Sequence, residues 1–238
     1  YGANFPAKYQ NAFFACEWSY GKLYAVHLKP HGSTYRASFE EFASSRPFPI
    51  TDLLVNPADG AMYVAYGGRR VQSGLYRITY VGDESTAPVK PVRKGENERK
   101  TRRSLEAYLQ EGAKVASSSE IDFIWKSLGS NDRGIRHAAR VALEKQPVKA
   151  WKDRLAAEAN PVTSTAAMIA LARVDGEGSA SEIIAKATSL DYTKTKSRQT
   201  RLDILRSVTL SLTRGGQPNA SDKAKLIKWL DGIYPAGT

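Results

Sequence analysis

The sequence predicts a multidomain β-then-α chain: short antiparallel strands in the first third, then a solenoid of paired helices. Three observations lead there. Of 23 aromatic residues, 16 fall within residues 1–82. Turn signals recur there about every ten residues, the spacing of a sandwich, barrel or propeller. Beyond residue 97 the composition turns to Ala, Leu, Lys, Arg and Glu, with start signals for helix pairs near 98, 131, 163 and 198. A period of roughly 35 residues marks an α-solenoid.

Strands are expected in two series, over 11–18, 23–29 and 35–42, then over 50–55, 61–66 and 75–80. Aromatic and β-branched side chains suit a pleated, half-buried surface. Tyr20-Gly21-Lys22, Pro30-His31-Gly32-Ser33, Pro57-Ala58-Asp59-Gly60 and Gly67-Gly68 separate them. Pro57 suits the first corner of a type I turn, and Gly60 takes the positive φ that closes it. Residues 83–97 contain prolines and charges without apolar periodicity, a linker signature. The organisation expected is therefore 1–82 as strands, 83–97 as a basic linker and 98–238 as helices.

Within the helical part, Ser117-Ser-Ser-Glu120 and Ser179-Ala-Ser-Glu182 both read as capping boxes. Apolar faces follow at Ile121, Ile124, Trp125 and Leu128, at Ile183 and Ile184, at Leu202, Leu205, Thr209 and Leu212, and at Leu226, Leu230 and Ile233. Pro147 and Pro161 fall where helices begin anew, since proline is tolerated in a first turn. Trp125, Trp151 and Trp229 are expected in the helical core.

Charge and length limit the function classes. The 238 residues carry 35 basic and 24 acidic side chains, a formal charge of +11. The excess is spread thinly: 8 basic against 5 acidic residues in 1–82, 7 against 4 in 83–103 and 20 against 15 beyond. Nucleic-acid faces concentrate their cations on one stripe, so a nucleic-acid partner is not expected. No apolar run reaches 18 residues, so no membrane-spanning helix is expected. A single cysteine excludes an intrachain disulfide framework and a multi-cysteine zinc site. No P-loop, dinucleotide fingerprint, His-Glu-X-X-His or Gly-X-Ser-X-Gly occurs. The start Tyr-Gly-Ala-Asn, without methionine or signal peptide, suggests a mature or excised piece of something longer.

Candidate site residues are few. Arg69, Arg70 and Gln72 follow a glycine pair at a strand end, where an anion such as a quinone carboxylate or a sugar acid would meet them; the bland alternative is a solvated turn arginine or a pair with Asp52 or Glu17. Asp52 is expected to brace a turn and Asp59-Gly60 to be a turn, because no ladder of further carboxylates stands at calcium spacing. His27, His31 and His137 are too scattered for a metal triad, and a satisfied half-buried ring is expected for His27. Cys16 is expected as an inert core thiol. Trp18 and Tyr20 are expected to pack between sheets, with stacking on a sugar or cofactor as the alternative.

Two stretches carry a family likeness. Asn131-Asp-Arg-Gly-Ile-Arg-His-Ala-Ala-Arg-Val-Ala-Leu143 resembles a HEAT repeat, with Ile135, Ala139, Ala142 and Leu143 inward and Asp132 and Arg136 near the turn. Residues 8–24 and 51–64 resemble the closing blades of the six-bladed propellers of quinoprotein glucose/sorbosone dehydrogenases. Gly67-Gly-Arg-Arg-Val-Gln-Ser-Gly-Leu-Tyr-Arg-Ile-Thr-Tyr80 followed by HEAT-like helices is similar to the large secreted haem-binding dehydrogenases of planctomycete-type bacteria. That resemblance implies a partial β-propeller of about one and a half blades followed by HEAT-like pairs. It implies an extracytoplasmic parent acting on a sugar or alcohol, with a quinone cofactor and a c-type cytochrome partner. The chain itself has no Cys-X-X-Cys-His to hold such a haem, so no cofactor is expected within it. Six strands fall short of a ring, so the rest of a precursor or another chain is expected to complete the sheet. The competing expectation is a non-catalytic scaffold that binds protein partners.

Overall fold

The computed structural model describes residues 4–234 apart from Arg69 and Pro91. Among these the chain divides into two compact units, 1–96 and 97–238.

The first unit holds six strands in two antiparallel sheets. β1 (Ala12–Glu17), β2 (Lys22–His31) and β3 (Thr34–Ser44) form one; β4 (Ile50–Val55), β5 (Met62–Gly68) and β6 (Val71–Ile78) form the other. Both are simple meanders, the order that short turns between successive strands impose. The strands divide three and three, and no four-stranded blade forms among the described residues. A short helix, α1 (Ala7–Gln10), precedes β1.

One face of each sheet is buried. Leu23 and Ala25 alternate with Tyr24 and Val26 along β2, and Met62 and Val64 alternate with Tyr63 and Ala65 along β5. Leu23, Met62 and Val64 join Phe5, Phe48 and Ile50 in a core shared by both sheets. In the β2–β3 ladder Leu23 pairs with Ala43 but Tyr24 with Glu41. The extra residue at that bulge is Phe42. A bulge re-aims its side chain, and the Phe42 ring meets Phe5, Tyr9 and Phe14 edge-on at centroid distances of 6.0, 5.1 and 5.0 Å.

The β4–β5 turn is built as its sequence requires. Gly60 has φ 65°; its N–H donates to Asn56 O at 2.8 Å, and Asp59 Oδ1 accepts Ala61 N–H at 3.0 Å. Tyr63 Oη and Arg77 Nη2 also reach Asp59 Oδ2, at 2.8 and 3.2 Å. The Ala61 N–H first, then the Tyr63 hydroxyl, holds this carboxyl below the usual aspartate range. Asp59 is thus a turn brace.

The segment expected as a linker carries no helix or strand from 81 to 95 among its described residues. Its first part is strapped to α1: Gln10 Nε2 donates to Thr86 O and Ala87 O at 3.1 and 2.9 Å, and Val89 N–H donates to Gln10 Oε1 at 3.0 Å. Helix begins again at Glu96. The protease-sensitive window is therefore narrow. Brief trypsin treatment is expected to cut first after Arg93 or Lys94, because proteases need locally extended chain. Mass spectrometry of the first fragments checks this; a first cut inside 117–143 would contradict the division into units.

The second unit is helical: α2 (Glu96–Glu106), α3 (Ser118–Leu128), α4 (Arg133–Glu144), α5 (Arg154–Ala157), α6 (Pro161–Val174), α7 (Ala180–Ser189), α8 (Arg198–Gly215) and α9 (Ala220–Asp231). Helices α4, α6 and α8 lie side by side; α3 packs on α4 and α6, and α7 on α6, α8 and α9. One continuous core runs through them, including Ile121, Ile124, Leu128, Ile135, Ala139, Ala142 and Leu143. Side-chain caps define several starts. Asp132 Oδ1 accepts Gly134 and Ile135 N–H at 2.8 and 3.1 Å. Asn160 caps α6 ahead of Pro161, and Ser197 and Asn219 cap α8 and α9.

The two expected capping boxes differ. At α3 the box forms, with Ser117 N–H donating to Glu120 Oε2 at 2.8 Å. At Ser179 it does not. A 3₁₀ turn over Gly176–Ser179 already carries the chain into α7, and Ser179 Oγ donates back to Gly176 O at 3.1 Å. The expected stripe on α8 is corrected in part, Leu212 packing against the core as expected. Its buried residues are Thr200, Ile204, Ser207, Val208 and Ser211, whereas Leu202 is exposed. Small serines on this face let α8 lie close to α6, where Ser207 Oγ approaches Met168 Sδ at 3.8 Å.

Glu120 gives the helical unit an acid-sensitive contact. Lys114 Nζ stands 2.8 Å from its Oε1. That ammonium first, then the Ser117 N–H, lowers the carboxyl from 4.5 to about 2. A depressed carboxyl pKa adds stability that is present above the unfolded value and lost as pH falls through the folded one. Wild-type protein is expected to outlast Glu120→Gln in thermal melts above pH 4.5, with the advantage vanishing between about pH 4.5 and 2. Equal melts throughout would remove the contact from the account.

Candidate binding site at the sheet ends

A pocket of about 320 Å³ opens in the strand unit near its sequence-predicted residues. It lies where the β1–β2 turn, the β3–β4 connection and the β5–β6 hairpin meet. Trp18, Tyr20, Arg46, Phe48, Gly68 and Val71 are among its walls. Two glycines make this meeting possible. Gly21 has φ 64°, and a Cβ there would stand 2.6 Å from Ser45 O. At Gly68 a Cβ would come within 3.0 Å of the Trp18 ring. The indole therefore lies against bare backbone, its Nε1 donating to Gly67 O at 3.4 Å.

Trp18 and Tyr20 are both exposed, at 53 % and 75 %. The Trp18 indole reaches from the β1–β2 turn of one sheet to the β5–β6 hairpin of the other, whereas Tyr20 stands out from that turn. Glu17 holds that turn by accepting the N–H groups of Ser19, at 3.1 Å, and of Tyr20. Cys16 is likewise exposed rather than a core thiol. Partial burial, then the charge of Asp52, raises its pKa above the ordinary thiol value, which keeps the nucleophilic thiolate scarce.

Gly68 pairs with Val71 across the β5–β6 hairpin. Arg69 lies outside the described residues. Arg70 has φ 62°, the left-handed region that a branched or bulky residue rarely adopts. Gln72 is exposed on β6. Neither of the expected carboxylate partners serves Arg70. Glu17 is occupied by the turn amides, and Asp52 Oδ1 accepts Leu53 N–H at 2.7 Å beside the bulge between Ile50 and Asp52. Among the described residues, Arg46 is the guanidinium that lines the pocket with Trp18, Tyr20 and Phe48.

That arrangement suits binding. An aromatic face takes a planar or sugar ring, and a guanidinium takes a carboxylate in two parallel hydrogen bonds. No Asp, Glu or His is among the described residues that line the pocket, and Tyr20 is its titratable hydroxyl. His27 Nε2 meets Glu40 Oε1 at 3.0 Å, and that carboxylate also takes Lys8 at 2.9 Å. Lys8 first, then His27, lowers the Glu40 pKa.

No family model, curated protein or solved structure matches the chain. No helix among the described residues is long and apolar enough to cross a membrane.

Proposed function

We propose that this chain is a structural and binding part of a larger oxidoreductase. In this reading its two sheets are neighbouring blades of a β-propeller, and its helices are a HEAT-like α-solenoid. One observation carries the reading. Each sheet buries one face in the shared core; the other face carries an uncovered aromatic row on the first sheet, and exposed leucines beside Asp52 and Arg77 on the second. On the first sheet, Val26 pairs with Phe13 and with Phe39, which are 60 % and 72 % exposed. On the second, Leu54 and Leu75 are each 66 % exposed. Blades of a ring bury both faces against neighbours, and contiguous bare apolar surface marks an interface.

The resemblance supplies the rest of the proposal. The parent is an extracytoplasmic, quinoprotein-like dehydrogenase acting on a sugar or alcohol and passing electrons to a c-type cytochrome. The pocket beside Trp18 and Tyr20 contributes to a quinone- or sugar-acid-binding surface, to which Arg69, Arg70 and Gln72 of the same sequence stretch would add anion contacts. Haem and catalytic groups belong to other segments or other chains.

A second reading is favoured by the exposed Phe13 and Phe39, surface that a protein partner would cover: a non-catalytic scaffold whose sheets and helices bind protein partners. Intact-mass measurement and peptide mapping of native material, with a haem stain, separate the two. The dehydrogenase reading expects a larger species with a haem peptide. A haem-free complex of this chain with other polypeptides would favour the scaffold and overturn the oxidoreductase.

A further inference from the structure

We infer that the exposed layer of α4, α6 and α8 is a docking groove for an acidic, extended peptide segment of a partner protein. This names a partner chemistry for the helical unit and rests on the geometry of these three helices alone, whatever the sheets assemble into.

The groove has a volume of about 390 Å³. One wall is α4. Arg133, Arg136 and Arg140 recur there at i, i+3 and i+7, which sets them on one helix face. The floor is α6, whose Val162, Ala166 and Ile169 line the groove between the flanking helices. The far wall is α8, through Gln199 and Asp203.

The charges are unequally satisfied. Arg140 pairs with Glu144 and also donates to His137 Nδ1 at 3.3 Å. Glu144 takes Arg173 as well, Nε to Oε2 at 3.0 Å, which ties together the C-terminal halves of α4 and α6. At the other end Arg136 donates to Ser130 O at 2.6 Å, a neutral acceptor. Arg133 is exposed, and no carboxylate pairs with it or with Arg136 among the ion pairs of the described residues. The open end of the groove thus presents two guanidiniums whose charge the helices do not neutralise. An acidic occupant would supply that charge.

The floor decides which acidic occupant. Val162 and Ile169 offer aliphatic surface, and Asp203 stands on the wall opposite the arginines. A continuous phosphate chain would meet that carboxylate and gain nothing from the floor. An extended peptide sends alternate side chains to opposite sides, so carboxylates can face α4 while apolar side chains rest on α6. Helix α6, at 14 residues, is about 21 Å long. That length accommodates roughly six residues of extended chain.

The test is fluorescence anisotropy with the full chain and labelled peptides of alternating Glu and Val. Binding is expected, weakening as salt screens the pair. Arg133→Glu with Arg136→Glu is expected to weaken it about tenfold or more, while Lys149→Glu, outside the groove, leaves it unchanged. Arg133→Gln, which touches no partner in the fold, keeps the test valid if the double variant unfolds; a smaller loss of affinity is expected. A Glu-Ser peptide is expected to bind more weakly than the Glu-Val one. Equal binding of the two peptides, equal binding by the arginine variants, or complete displacement by a short oligonucleotide at equal concentration would overturn the proposal.

Discussion

Replacing Trp151 by alanine is expected to cost about 3–5 kcal/mol of stability, the range for truncating a fully buried large aromatic. The indole is 1 % exposed and is among the largest buried side chains of the helical core. It sits just after the 3₁₀ turn Val148–Ala150, where a proline-led start breaks the regular helix pattern. Alanine would leave a cavity between helices too long and too mutually packed to collapse into it. Its Nε1 has no hydrogen-bond partner among the described residues. Phenylalanine removes that orphaned donor and keeps most of the ring volume, so Trp151→Phe is expected to cost less than about 1.5 kcal/mol. Urea unfolding followed by circular dichroism checks both. Equal losses in the two variants would show that ring volume does not set the stability here.

The second large effect concerns association. Phe13 and Phe39 flank Val26 in one cross-strand row, and the Tyr24 ring meets Phe39 edge-on at 5.7 Å. Burying an aromatic side chain of this size is worth about 1.5–3 kcal/mol. Phe13→Thr with Phe39→Thr is therefore expected to weaken any assembly through this face about a hundredfold or more. Threonine keeps the strand preference. Because both rings are already exposed in the chain alone, its own melting is expected to change little. Loss of fold in the double variant would place these rings in the chain's own core instead.

The strand unit was legible because its turns are written in glycine and proline. The six strands follow the expected order, since Gly21, Gly32 and Gly60, all at positive φ, leave little choice about where the chain reverses. Helix starts were legible where one side chain caps them, as at Asp132 and Ser117. They were misread at Ser179, because a box motif is silent about the 3₁₀ turn that precedes it. The α8 stripe was partly misread because leucine count outweighed packing distance: the buried face is the one with serines, which allow close approach to α6. The hairpin arginines were visible as a motif, but their geometry was not, since the sequence does not show that Glu17 and Asp52 are already committed to backbone amides. The basic groove had a signal that went unused. Arg133, Arg136 and Arg140 repeat at helical spacing, a local concentration that a segment-wide charge balance does not reveal.

Completion of the two sheets by other blades is read out by light scattering after size exclusion. Across a range of concentrations the wild-type chain is expected to show mass above the monomer, rising with concentration. The Phe13→Thr, Phe39→Thr variant is expected to elute as a folded monomer. A wild-type chain that is monomeric at every concentration, with its apolar sheet faces binding no hydrophobic dye, would contradict it.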